Sequence, residues 1–341
     1  MENKIIDFAQ NFNILGSPLG SLAAAKDFTK YISSYPDPVA RGSGSRAAAN
    51  FFSISESNLM LAHGATEVFF KAHEFLEYSR ALIPVPAFWE YKEFNIRFSV
   101  PVETLQLREE DGFVLNTQMI EDALISGDAV FLCNINNPTS VLMPGQDILK
   151  IALAYPENNF VVDETYLLFH PDFEKHTLSQ QATKISNVHV VVSFSKLFSL
   201  PGIRIGAVIS DEKTVRRYQE RSFVPYSISG LTQHVLACAL ADTNFVSNTR
   251  KYYSIQKQEF FDQLKNRFGN RVKVLKPEGN FVLMKMLSGV SSKQTVSLLI
   301  DQGIIVRGGH ELEGLGDSWL RVAIKDRESH EKLLDALDLI L

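Results

Sequence analysis

The stretch Ala129-Val130-Phe131-Leu132-Cys133-Asn134-Ile135-Asn136-Asn137-Pro138-Thr139 runs from an apolar segment straight into a polar turn. The apolar half does not alternate, which is how a strand covered on both faces reads. Four further runs share this character: Ala81 to Val85, Phe160 to Val162, Val188 to Val192 and Ile205 to Ile209. Between them lie helix-length segments such as Glu67 to Leu76, whose apolar positions 68, 69, 72, 75 and 76 keep helical spacing. The alternation predicts an α/β fold, with a mostly parallel, mixed sheet between helices.

Ligands of open parallel sheets bind beyond the carboxyl ends of the strands, so the residues after each run carry the information. After Cys133 comes Asn134-Ile135-Asn136-Asn137-Pro138; after Val162 comes Asp163-Glu164-Thr165-Tyr166; after Val192 comes Ser193-Phe194-Ser195-Lys196. Taken singly these have bland readings: Asn-Pro marks a turn, and an Asp or Ser after a strand caps a helix. Together they deliver an amide, a carboxylate, a phenol and an amine to one edge. That set suits an aldehyde cofactor, with the amine bonding the aldehyde, the carboxylate pairing with a protonated ring nitrogen, and the amide and phenol holding a ring oxygen.

Eight residues past Lys196, Arg204 precedes the run Ile205 to Ile209, and upstream Ala62-His63-Gly64-Ala65-Thr66-Glu67 opens an amphipathic helix. A helix start beside an arginine is a site for an anion such as phosphate. After about residue 235 the pattern becomes a long helical stretch followed by strands at Phe281 to Met286, Gly303 to Arg307 and Trp319 to Ile324. The expected division is an arm over 1–30 that packs with the small domain, a large cofactor-binding domain over 31–235 and a small α+β domain over 236–341.

The chain has 341 residues, 45% hydrophobic and 21% charged, which is globular composition and enough for about two domains. With 34 Lys plus Arg against 39 Asp plus Glu the net charge is −5, without a basic block to track a nucleic acid. No run approaches the roughly 20 apolar residues of a membrane span, and the opening Met1 to Asp7 lacks a secretory pattern. A cytoplasmic location is therefore expected, and the two cysteines suit a reducing compartment. Gly42-Ser43-Gly44-Ser45-Arg46-Ala47 fits a dinucleotide fingerprint but follows no strand, and His63, His73 and His310 lack metal-ligand spacing, so no metal is expected.

Asn136-Asn137-Pro138-Thr139, Asp163-Glu164-Thr165-Tyr166 and Ser193-Phe194-Ser195-Lys196 with Gly202-Ile203-Arg204-Ile205-Gly206 resemble the signature of fold-type I pyridoxal-phosphate enzymes of the class I/II aminotransferase superfamily. The resemblance implies pyridoxal 5'-phosphate as cofactor, with Lys196 the residue that bonds it and shuttles protons, and Asp163 the partner of its ring nitrogen. Asn137 and Tyr166 match donors to the ring oxygen. Ser193, Ser195, Arg204 and the backbone of Ala65 and Thr66 match the phosphate cup, and Phe88 the aromatic stacked on the ring. Tyr35 resembles the tyrosine that reaches the phosphate of the neighbouring subunit's cofactor, which implies a homodimer. Arg321 stands at the place of the α-carboxylate clamp, Arg307 at a contact to a substrate phosphate, and Asn13 on the arm is expected to close over the substrate.

Within the superfamily the chain resembles both threonine-phosphate decarboxylases and histidinol-phosphate aminotransferases. Asp7-Phe8-Ala9-Gln10-Asn11-Phe12-Asn13-Ile14-Leu15-Gly16, Gly64-Ala65-Thr66-Glu67, Leu200-Pro201-Gly202, and Leu312-Glu313-Gly314-Leu315 through Ile324 lean to the decarboxylases. Tyr166 leans to the aminotransferases, and Ser140 stands where a glycine is usual. The expectation is decarboxylation of a phosphorylated amino acid, with transamination as the alternative and a non-catalytic sensor on the same fold as a remote one.

Overall fold

The structure, a computed structural model, describes residues 5–37, 42–221, 224 and 226–341; Met1 to Lys4 and Pro38 lie outside the described residues. The arm carries a short strand, β1 (Ile6–Asp7), and a helix at Leu19–Ala25. The central strands follow as β2 (Leu59–Ala62), β3 (Arg80–Val85), β4 (Val102–Gln106), β5 (Asp128–Cys133), β6 (Asn159–Asp163), β7 (Val188–Ser193) and β8 (Gly206–Ile209). They form one sheet in the order β2-β8-β7-β6-β5-β3-β4.

Only β8 runs against its neighbours, pairing antiparallel with both β2 and β7, while β7, β6, β5, β3 and β4 are parallel. The buried runs explain why these segments are strands. Phe160, Val162, Val190 and Val191 are wholly buried, so both faces of the sheet are covered by helices. The expected mixed, mostly parallel α/β architecture is what the chain adopts.

Beyond β8 the helix Gly230–Leu240 spans residue 235 and packs on the helices Ser43–Phe52 and Leu19–Ala25. A helix of 26 residues, Thr243–Phe268, then leads to β9 (Val272–Val274), β10 (Phe281–Met286), β11 (Ile304–Ile305), β12 (Arg307–Gly308) and β13 (Trp319–Ala323). Strands β12, β13, β10 and β9 make an antiparallel sheet in that order. Register in this sheet sets Arg307 beside Arg321.

One expectation changes here. The segment Gly303 to Arg307, expected as one strand, is two, because Ile304–Ile305 pairs with β1 in parallel while Arg307–Gly308 pairs with β13. The Ile6–Asp7 end of the arm is thereby tied to β11. The arm is also sewn to the segment after β7: the Asn13 N–H donates to the Lys196 carbonyl at 3.0 Å and the Ser17 hydroxyl to the Ser199 carbonyl at 2.8 Å. No helix among the described residues is long and apolar enough to cross a membrane, and among them no group of three or more His, Cys, Asp or Glu could hold a metal ion.

Candidate active site

The carboxyl ends of β5, β6 and β7 lie side by side, with Cys133 paired to Asp163 and Asp163 to Val191. Chain direction alone therefore brings Asn137, Asp163 and Lys196 to one edge. Because β8 runs the other way, the residues before its start reach that edge, and this delivers Arg204. Strand β2 runs parallel to β7 and ends at the same edge, where the helix Gly64–Phe75 begins.

These ends enclose a cleft of about 230 Å³ lined by Ala65, Thr66, Phe88, Asn137, Asp163, Tyr166, Ser193, Ser195, Lys196 and Arg204. It opens into a wider mouth of about 500 Å³ bordered by Phe88, Asn137, Tyr166, Lys196, Arg307 and Arg321. Twelve of the residues singled out from sequence thus share one connected space. Tyr35 lines neither part; its side chain is 84% exposed and packs on Tyr226 with ring centroids 5.1 Å apart.

Asn13 also lines neither part, and the expectation that it closes over the substrate is corrected. Its side chain is buried, with Nδ2 donating to the Leu197 carbonyl at 2.8 Å and to Thr249 Oγ1 at 2.9 Å. The amide is thus committed to holding the arm against the Lys196 segment. Its neighbours on the arm face the site instead: Asn11 Nδ2 donates to the Tyr166 hydroxyl at 3.3 Å, and the Phe12 ring lies 4.3 Å from Lys196 Nζ.

At the anion end two glycines permit a close approach. Gly64 has φ +74°, and a methyl on Gly206 would meet Gly64 C at 2.6 Å, Val192 O at 2.6 Å and Ala65 N at 2.7 Å. Backbone therefore packs on backbone where the helix begins. The first N–H groups of that helix have no partner within it, so they are available to an anion. Arg204, itself left-handed at φ 50°, brings its guanidinium alongside Gly64. Ser193 caps the turn after β7 by accepting from the Ser195 N–H at 3.4 Å, while Ser195 Oγ is buried without a partner among the described residues. A buried hydroxyl left unpaired beside an arginine and free helix amides fits a phosphate.

At the other end the Asp163 carboxylate accepts from the Tyr91 hydroxyl at 2.7 Å and the Thr165 N–H at 3.0 Å. Burial raises its pKa, and hydrogen bonds from Thr165 and Tyr91 and the charge of Lys196 oppose the rise. A cationic partner would favour the carboxylate form further. Lys196 is pulled down to about 8, first by burial and then by the charges of Arg321 and Arg204. More of this amine is thus neutral and nucleophilic near neutrality than of an ordinary lysine.

Arg321 Nη1 donates to Asn137 Oδ1 at 2.6 Å and Nη2 to the Ala9 carbonyl, while its Nε is buried without a partner among the described residues. An arginine can only donate, so the Asn137 atom it meets is the oxygen and the amide's Nδ2 remains to donate into the cleft. The residues present therefore fit pyridoxal phosphate at each of its polar positions.

Sequence reasoning missed Tyr91, Glu90, Thr165, Asn11 and Phe12, all of which line the cleft or mouth or touch a residue that does. Tyr91 carried a signal in its spacing, since it stands one helical turn after Phe88. Its ring is buried between Phe69 and Phe131, and only its hydroxyl reaches Asp163.

The sequence matches the family model for class I and II aminotransferases over residues 3–337. It is 28% identical to a bifunctional adenosylcobalamin biosynthesis protein, CobDQ, of Leptospira interrogans, over 98% of this chain but only 38% of that protein. It is 28% identical to a histidinol-phosphate aminotransferase of Methanococcus maripaludis, covering 99% of this chain and 90% of the other. With a threonine-phosphate decarboxylase of Salmonella typhimurium it shares 26% identity over 99% of this chain and 92% of the other. Among solved structures, the histidinol-phosphate aminotransferase of Clostridium acetobutylicum superposes with a TM-score of 0.90 at 25% identity, over 98% of this chain and 99% of that one.

The anion end is open to a direct test. Gly206→Ala should push the backbone of Gly64 and Ala65 aside and weaken pyridoxal-phosphate binding roughly tenfold or more, read by fluorescence titration of the apoenzyme. Unchanged affinity with an unchanged circular dichroism spectrum would remove Gly64 to Thr66 from the cup. On the match over residues 3–337, this chain belongs to the class I and II aminotransferase family, whose enzymes depend on pyridoxal phosphate.

Proposed function

We propose that this enzyme decarboxylates a phosphorylated amino acid, with L-threonine O-3-phosphate as the favoured substrate. The observation that carries the reading is the pairing of Arg307 and Arg321 in register on β12 and β13, both bordering the mouth that opens onto Lys196. Two guanidinium groups there match two anionic groups on one small substrate, a carboxylate and a phosphate. The threonine-phosphate decarboxylase among the relatives and the decarboxylase-like opening Asp7 to Gly16 support the choice. Tyr166 and the histidinol-phosphate aminotransferase relatives support transamination as the second reading.

Bound pyridoxal phosphate supplies an electron sink for the bond that breaks at the substrate's α-carbon. The protein's part is to bind, orient and move protons. Arg321, buried but bordering the mouth, presents its unpartnered Nε for the substrate carboxylate. Arg307 Nη1 is held by Glu311 Oε1 at 3.0 Å, and Glu311 Oε2 in turn accepts from the Gly308 N–H at 3.1 Å, which fixes the fork at the mouth. Asp163, steadied by Tyr91 and Thr165, keeps a negative charge for a ring nitrogen. The Lys196 amine, which lines both the cleft and the mouth, would serve as base and acid for the proton that moves. Arg321 and Arg307 would set how the substrate is turned in the mouth, and so which bond at its α-carbon would be exposed to the cofactor's electron sink.

A second copy of the chain completes this reading. Leu19, Leu22, Phe28, Ile32 and Tyr35 are large apolar side chains exposed along one N-terminal segment, with Tyr226 against Tyr35. Such a patch suits a partner, and we assign it to a twofold contact through which Tyr35 reaches the other copy's cofactor phosphate. Sedimentation at twice the 38.3 kDa chain mass is expected, and a monomer with full activity would contradict it.

For the reaction, threonine phosphate supplied alone should release carbon dioxide without an added keto acid. Histidinol phosphate with 2-oxoglutarate should yield little glutamate. Glutamate formed without any carbon dioxide from threonine phosphate would reverse the choice.

A further inference from the structure

Glu90 is a carboxyl group in a place prepared for an anion. It opens the helix Glu90–Arg97 two residues after Phe88 and lines the same cleft as Thr66, Arg204, Asp163 and Lys196. Its Oε2 is buried without a partner among the described residues, while the carboxyl accepts from the Thr66 side chain. The Thr66 backbone and Arg204 are assigned above to the cofactor phosphate, and the Glu90 carboxyl, held by the Thr66 side chain, borders the same place. A carboxylate and a phosphate dianion set side by side there would repel one another in a region of low dielectric.

We propose that Glu90 takes up one proton from solvent as the cofactor's phosphate is seated, and holds that phosphate as a hydrogen-bond donor. The inference rests on the assignment of Thr66 and Arg204 to the phosphate. It makes Glu90 a cofactor-binding acid and couples cofactor retention to pH. The charged groups that face Glu90 are Arg204 from the turn before β8, Asp163 at the end of β6, Lys196 after β7 and Glu93 on its own helix. Burial already raises the Glu90 pKa. Thr66 lowers it, Asp163 raises it, Arg204 lowers it and Glu93 raises it, in descending order. Seating a phosphate takes the cation of Arg204 into another ion pair and adds negative charge, and both changes favour the protonated acid.

The sign follows from linkage: a group that gains a proton on binding makes binding weaker as pH rises. The affinity of wild type relative to E90Q should fall with pH, by up to about tenfold per unit once Glu90 is ionised in the apoenzyme. Titration of both apoenzymes with pyridoxal phosphate, by calorimetry in two buffers of different ionisation heat, reads the proton count directly. At about pH 8.5 wild type should take up close to one proton more than E90Q. Glu90 also raises the Lys196 pKa, so the difference between the two proteins is read against the same difference measured with pyridoxal, which bonds the lysine but has no phosphate. With pyridoxal the two proteins should differ only by that shared effect on Lys196, well under the one proton expected with pyridoxal phosphate.

Equal proton uptake and equal pH dependence in wild type and E90Q would overturn the proposal, as would a difference that is just as large with pyridoxal. Should E90Q fail to fold, wild type alone decides: uptake that is the same for pyridoxal phosphate and pyridoxal contradicts the proposal. A wild-type protein that binds pyridoxal phosphate no better than pyridoxal would remove the phosphate cup, and this inference with it.

Discussion

Parallel pairing of β5, β6 and β7 is the constraint on which the site depends. It sets Cys133 beside Asp163 and Asp163 beside Val191, so β5 and β6 end at one level, β7 runs two residues further, and the residues that follow share a cleft. A slip of one residue in any strand would turn its side chains to the opposite face. Strand β8 adds the complementary constraint. By running antiparallel between β7 and β2 it returns Arg204 to the edge where the helix Gly64–Phe75 begins, and Gly206 lets the three backbones meet.

The electrostatics of the site follow from that crowding. A net charge of −5 hides a local concentration of cations, in which Lys196, Arg204, Arg307 and Arg321 gather round the cleft and mouth. Lys196 is the one that responds, held to about 8 by burial and by two of those arginines. Arg321 links the two sheets physically, because it lies on β13 yet bonds Asn137 after β5 and the arm carbonyl of Ala9. The proposed clamp for a substrate carboxylate and the orientation of Asn137 would thereby be joined in one side chain.

Much of this was legible in the residues. The strands show themselves because both faces are buried, which selects runs of Val, Ile, Leu and Phe, and Asp163 and Lys196 are found by standing just past such runs. Side chains whose role is set by distant packing are not. Tyr91 reaches Asp163, 72 positions away, only because its ring is trapped between Phe69 and Phe131. Asn13 looked like a substrate contact, yet Leu197 and Thr249 take its amide, and Asn11 faces the site in its place. The split of Gly303 to Arg307 is invisible for the same reason, since its two halves answer to β1 and to β13. Glu90 gave no sign until its buried, unpaired oxygen was seen beside Thr66.

The central claim is that Lys196 holds the cofactor covalently at the meeting point of these strands. Borohydride reduction of the purified holoenzyme, followed by peptide mass spectrometry, tests it most directly. The account predicts a single modified peptide, carrying the reduced pyridoxal-phosphate mass on Lys196. An unlabelled Lys196, or a label confined to another lysine, would contradict it.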